Sequence, residues 1–129
     1  MSEEHPSGGR LAAAISNAVV RHIAETTGRG PTKARTTIGQ DSIFVVVQDT
    51  LTRGERVLVD AGDASIVLRL REAWQRAMQQ RLNHEVEQLT GRTVIGFMSS
   101  NTIEPDLGVE VFILEPSDAR GRVAEGDST

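Results

Sequence analysis

Residues 26–48 read "TTGRGPTKARTTIGQDSIFVVVQ", and their interpretation decides the fold. The segment before them, about Gly9 to Thr27, places Leu11, Ile15, Ala18, Val19, His22, Ile23 and Thr26 at helical spacing on one face. Gly28 then stands where a left-handed C-terminal cap is wanted, and Pro31 keeps the helix from resuming. Beyond it the period changes. "KARTTI" and "SIFVVVQ" are strand-like runs joined by Gly39-Gln40-Asp41, the pattern of an antiparallel hairpin. In the second run Ile43, Val45 and Val47 alternate with Phe44 and Val46, so both faces are apolar and the strand belongs in the middle of a sheet.

Working outward, "LTRGE" gives Thr52 and Glu55 the spacing of a capping box, which predicts a short helix to about Ala61. Gly62 and Asp63 break and re-cap it. A long helix to Thr90 follows, with Val67, Leu70, Trp74, Ala77, Met78, Leu82, Val86 and Leu89 along one stripe. Two further strands, "TVIGFMS" and "VEVFIL", flank the turn-rich stretch "SNTIEPDLG". Both long helices end in Thr-Gly-Arg (Thr27-Gly28-Arg29, Thr90-Gly91-Arg92) and both lead into a hairpin. The halves therefore read as two copies of one unit, or as two helices stopped by the same common grammar. In either case the predicted fold is α+β: a two-layer sandwich of a four-stranded, mostly antiparallel sheet with helices on one face, in the order α-β-β-α-α-β-β. Residues 9–116 form its single domain, between a flexible N-terminus (1–8) and a disordered polar tail (117–129).

Composition limits the function. A chain of 129 residues and 14.0 kDa buries a core without staples, and with no cysteine it has no disulfide, thiol nucleophile or thiolate metal site. That usage fits a cytoplasmic protein. Aromatic residues make up 3% of the chain and the net charge is -4, which argues against base-stacking platforms and against broad attraction to nucleic acid. No apolar run reaches the roughly 18 to 20 residues that span a bilayer, and "MSEEHPSGGR" lacks a signal peptide's apolar segment, so no membrane insertion is expected.

Candidate chemistry is sparse. Gly28, Arg29, Gly30 and Pro31 form either a cap followed by a tight bend or an anion-binding nest whose charge comes from Arg29, with Lys33 and Arg35 extending a basic patch along one strand face. The stretch lacks the Lys-Ser/Thr ending of a phosphate-binding P-loop, and a strand follows where that motif needs a helix. His5, His22 and His84 are scattered, so no metal site is expected; His22 falls on an apolar helix face and His84 on a polar one. Carboxylates gather at Glu104, Asp106, Glu110 and Glu115, a set from which a pair could serve as general acid and base or bind a cation; with no serine, histidine or lysine placed as partner, a solvated acidic turn is the expectation. Glu110 is expected to point outward from a half-buried strand. Arg69, Arg71, Arg76 and Arg81, interleaved with Glu72, Glu85 and Glu87, read as a solvated helix face. No catalytic constellation and no cofactor motif emerges.

In the order and spacing of "TGRGPTKART", "LTRGERVLVDAG", "EQLTGRTVIGFMSS" and "PDLGVEVFILEP", about Leu11 to Pro116 resembles the MpsC family. These are small bacterial domains of unknown biochemical function, named after a sodium-translocating membrane-potential-generating system. The closing turn "SSNTIEPD" supplies no histidine for a polar or metal role. The resemblance implies an association with ion transport, and a chain without a spanning segment would serve as accessory rather than conduit. Together these readings predict a non-enzymatic cytoplasmic accessory or regulatory domain that acts through protein contacts with a transport component. A small-anion or phosphometabolite sensor built on Gly28 to Pro31 is the alternative. A homodimer is also expected, since a small sheet covered on one face leaves its other face and its edges in need of cover, with Phe44, Val46, Phe97 and Phe112 as apolar material on both sides of the strands.

Overall fold

The computed structural model describes residues 5–116; the disordered tail expected at 117–129 and the first four residues of the expected flexible N-terminus lie outside the described residues. Helix α1 (Gly8–Thr27) leads into the hairpin β1 (Lys33–Ile38) and β2 (Ser42–Gln48). Helices α2 (Arg53–Asp60) and α3 (Ala64–Thr90) then precede the hairpin β3 (Val94–Thr102) and β4 (Leu107–Leu114). The four strands form one antiparallel sheet in the order β1-β2-β4-β3, so the predicted element order and architecture hold. The second hairpin differs in extent. Its strands run on through most of "SNTIEPDLG", leaving a turn of residues 103–106. That extension gives Asn101 a place on the sheet, beyond Ser99 of the predicted strand.

The core lies between the sheet and the helices α1 and α3. Ile15, Val19 and Ile23 from α1 and Met78, Leu82 and Val86 from α3 meet Ile43, Val45, Val47, Phe112 and Leu114 from the central strands. Each such aliphatic side chain, fully buried, contributes roughly 1.5–3 kcal/mol. Phe97 tilts against Phe112 with ring centroids 5.2 Å apart, closing the β3 side. The stripe of α3 is phased differently from its sequence reading. Leu70 is exposed, while Arg71 and Gln75 are buried; Arg71 is met there by Thr50 and by Glu55 of α2.

The strand order reads the same when the two halves are exchanged, β1 for β3 and β2 for β4. The offset that carries Thr27 onto Thr90 also carries Ile15 onto Met78, Val19 onto Leu82 and Ile23 onto Val86, all buried. It carries His22 onto Glu85, and these touch at 2.9 Å. In the sheet it carries Thr36 onto Ser99; their partners Val45 and Glu110 stand opposite one another across β2 and β4. A pseudo-twofold axis thus passes between His22 and Glu85 in one layer and between Val45 and Glu110 in the other. The repeated unit suggested by Thr-Gly-Arg is a structural repeat.

Candidate functional site

The Thr-Gly-Arg joints are built alike. Gly28 and Gly91 take left-handed conformations, with φ of 83° and 71°. Thr27 Oγ1 donates to the Ile23 carbonyl (2.9 Å) and accepts from the Arg29 amide (3.2 Å); Thr90 does the same with Val86 (2.9 Å) and Arg92 (3.1 Å). Each arginine then reaches a carbonyl just beyond the second strand of its own hairpin. Arg29 donates to Asp49 at 3.2 Å and Arg92 to Glu115 at 2.7 Å. Arg92 also holds the β1–β2 turn, through the Gln40 carbonyl (2.8 Å) and the Asp41 carboxylate (2.7 Å). Two amides that an anion nest at Gly28–Pro31 would use are therefore engaged, Gly28 on the Ala24 carbonyl and Arg29 on Thr27. Lys33 and Arg35 lie elsewhere, on the open face of β1, beside a shallow hollow of about 560 Å³ shared with Thr32 and Gln48.

That open face carries the second feature. Phe44, Val46 and Met98 are exposed on it, with Val109, Val111 and Ile113 half-buried between them. Lys33, Arg35 and Thr37 rim it on β1 and Ser100 and Thr102 on β3, as the register and the alternation of strands require.

On the helix side, a polar seam crosses the core near the start of α3. Glu55 completes the predicted capping box, accepting from the Thr52 amide at 2.8 Å while Thr52 Oγ1 accepts from the Glu55 amide at 3.1 Å. The same carboxylate holds Arg71 by two bonds, of 2.7 and 3.2 Å. Arg71 gives its remaining bonds to Thr50, at 2.6 Å to the hydroxyl and 2.8 Å to the carbonyl. Both charged side chains are nearly sealed, at 9% and 3% exposure. The expectation that Arg71 is solvated is thus corrected: a helix-face charge is buried because a linker supplies an anion and a carbonyl to meet it. Asp106 corrects the acidic-turn reading in the same way. Its carboxylate accepts from Thr50 Oγ1 (3.1 Å) and the Leu51 amide (3.0 Å), so it ties the second hairpin's turn to the α2 linker.

Glu110 departs furthest from its sequence reading. It points inward, 2% exposed, because it shares the Phe112 and Leu114 face of β4. Ser99 is its cross-strand partner; its hydroxyl lies close enough to act on the Glu110 carboxyl, although neither Oε1 nor Oγ makes a well-aligned hydrogen bond. Burial pushes the Glu110 carboxyl up to about 7, with the Ser99 hydroxyl acting in the opposite direction. A cavity of about 20 Å³ adjoins it, lined also by Gln75, Asn101, Trp74, Arg71 and Thr50. Asn101 Oδ1 stands over Gly108, where a Cβ would come to 3.0 Å of it and crowd the amide. The one sequence signal for this site is a lone carboxylate among Val109, Val111, Phe112 and Ile113; alternation puts Glu110 on the side of Phe112, and that face, expected to be the outward one, is the one that meets the helices.

His22 is a satisfied core imidazole, as its helix face suggested, and His84 is exposed. Arg21 and His22 both hydrogen-bond Glu85, holding its carboxyl below the usual range. No cluster of three or more potential metal ligands occurs among the described residues. No helix among them is long and apolar enough to cross a membrane.

A family model described as "Na+-translocating membrane potential-generating system (MpsC)" matches residues 7–116. The chain belongs to the MpsC family. No curated protein and no solved structure matches it.

Proposed function

We propose that this member of the MpsC family is a non-enzymatic cytoplasmic accessory or regulatory domain that works as a homodimer, packed through the open face of its sheet, in contact with a membrane ion-transport component. The observation that carries the reading is the uncovered face itself. Its centre is apolar, with Phe44, Val46, Val109 and Val111, and its two edges are polar, the arrangement of an interface core inside a hydrated rim. A second copy fits because a dyad parallel to the strands sets the Lys33 and Arg35 edge of one copy over the Met98, Ser100 and Thr102 edge of the other, so like charges do not meet. The family description supplies the link to ion transport.

Light scattering of the full chain at micromolar concentration tests the pairing. Twice the chain mass of 14.0 kDa is expected, with return to the single mass in Phe44→Glu. A wild-type mass of one chain overturns the dimer. For the accessory role, cross-linking in native cells is expected to join the domain to a transport component, and Phe44→Glu to lose the adduct. Repeated recovery of no partner, together with activity of the isolated domain on a metabolite, overturns it.

The second reading is an anion sensor at Gly28–Pro31. Its remaining support is the hollow beside Lys33 and Arg35, where two cations share one concavity apart from Gly28–Pro31. Calorimetry against phosphate and phosphorylated sugars, with Arg29→Ala and Lys33→Ala beside the wild type, tests it; absence of binding in all of them removes the reading.

A further inference from the structure

We infer that the outward stripe of α3, made of Ile66, Leu70, Ala73 and Ala77, is a docking surface for one amphipathic helix of a partner protein, with large apolar side chains along one line and carboxylates beside them. The surface is the one turned away from the sheet, and the inference stands whether or not the open sheet face pairs.

The four residues follow one another at intervals of four, three and four, the spacing that keeps one line of a helix against a second helix. Gln75, on the opposite side of the same turns, is buried and lines the cavity beside Glu110, so the stripe looks outward. Ile66 and Leu70 are 43% and 38% exposed, and Ala73 and Ala77 are exposed with them. Helix α2, packed on α3, exposes Val57 as well. From Ile66 to Ala77 the stripe is about 16 Å long, enough for three turns of a partner helix. Its relief also suits one. The two alanines leave a step beside Leu70 into which large side chains of a facing helix can settle.

Charge selects the occupant. Arg69 and Arg76 border the stripe, are exposed, and form no ion pair among the described residues; Glu72, between them in sequence, joins neither. They stand seven residues apart, so matching carboxylates would recur once per heptad of the partner. A second copy of this chain is a poor occupant in either direction. Antiparallel pairing about the middle of the stripe sets Ile66 and Leu70 over alanines but Arg69 against the other copy's Arg76, and parallel pairing sets Arg76 against the other copy's Arg81. A lipid surface fits no better. Membrane insertion wants protruding bulky side chains within a strongly basic face, whereas this stripe steps down to alanine and has Asp60, Asp63 and Glu72 exposed around it.

The probe is a labelled synthetic peptide of three heptads, with isoleucine and leucine along one line and glutamate on both flanks. It is titrated with the full-length protein at low ionic strength and followed by fluorescence anisotropy, beside a second peptide that carries lysine on the flanks. Saturable binding of the glutamate peptide is expected, with a Kd of roughly 10–100 µM for so small a contact, and at least about tenfold weaker binding of the lysine peptide. Leu70→Asp should weaken the glutamate peptide by about tenfold or more. Arg69→Glu together with Arg76→Glu should reverse the preference between the peptides. All three positions are exposed, so thermal unfolding is expected to show these variants folded. No binding of either peptide, equal binding of both, or a preference unmoved by the arginine exchanges overturns the inference. So does a lower mass for Leu70→Asp than for wild type in light scattering, which makes the stripe a contact between copies. Sedimentation with phosphatidylglycerol vesicles that Leu70→Asp abolishes also overturns it, in favour of a membrane contact.

Discussion

Replacing Glu110 by glutamine should make the protein more resistant to unfolding at neutral and alkaline pH, and by an amount that depends on pH in a defined way. The carboxyl is raised from 4.5 to about 7 by burial, so the folded state favours its protonated form. Below about pH 4.5 both folded and unfolded chains carry the proton and Glu110 imposes no ionisation penalty. As pH rises from there the unfolded chain releases its proton first, and stability falls until the folded group has also ionised, just above pH 7. At about 1.4 kcal/mol per pKa unit, the full loss is on the order of 3 kcal/mol. Glutamine has no proton to lose. The difference in stability, variant minus wild type, should therefore rise across this window and be flat on either side. Urea unfolding followed by the fluorescence of Trp74, the single tryptophan, from about pH 4 to pH 9 measures it. With a slope of roughly 1–3 kcal/mol per molar, the relative midpoint should move by about 1–3 M. A difference that stays constant throughout would refute the argument, because it would mean that the carboxyl titrates alike in both states.

Three other outcomes are expected from chemical denaturation. Arg71→Ala should cost about 3–5 kcal/mol, since it strands the sealed Glu55 carboxylate, whereas exchanging Arg71 and Glu55 together for Met and Gln should cost much less. Gly28→Val should cost at least about 1 kcal/mol because of its left-handed backbone, at a position where space alone would admit a side chain. Arg29→Ala should lie within about 0.5 kcal/mol of wild type and Arg92→Ala should lose about 1–3 kcal/mol, as the first gives up one exposed bond and the second joins a turn, a carboxylate and a strand end.

The elements were legible because each is announced locally. Helix ends are marked by Gly28 and Gly91, the capping box by Thr52 and Glu55, and the central strand by its two apolar faces. The polar interior was not legible, for a different reason in each case. Arg71 reads as a surface charge until the Thr50–Glu55 linker is seen to fold back over it, a contact between separate elements that periodicity does not encode. Glu110 requires the pleat of β4, and four residues from Val109 to Phe112 include apolar side chains on both faces, so alternation alone assigns neither. Asp106 looks like part of a solvated turn because its partners, Thr50 and the Leu51 amide, lie more than fifty residues away. Arg29 was the opposite case: the glycines around it drew attention as a binding loop, while its twin Arg92 does the same fastening at the other end.

The internal dyad has a consequence for how this chain could diversify. If one αββ half were to pair with an identical copy, every substitution would appear twice, and a residue on the axis would face itself. A glutamate at the position of Val45 and Glu110 would then bring two carboxylates together inside the core, and the position of His22 and Glu85 would set imidazole against imidazole or acid against acid. Joining both halves in a single polypeptide lifts that restriction. One side of the axis can stay valine while the other becomes an acid, and a histidine can meet a glutamate. The lone Glu110 and the His22–Glu85 pair are both arrangements that only such a fused, unequal pair of halves can hold.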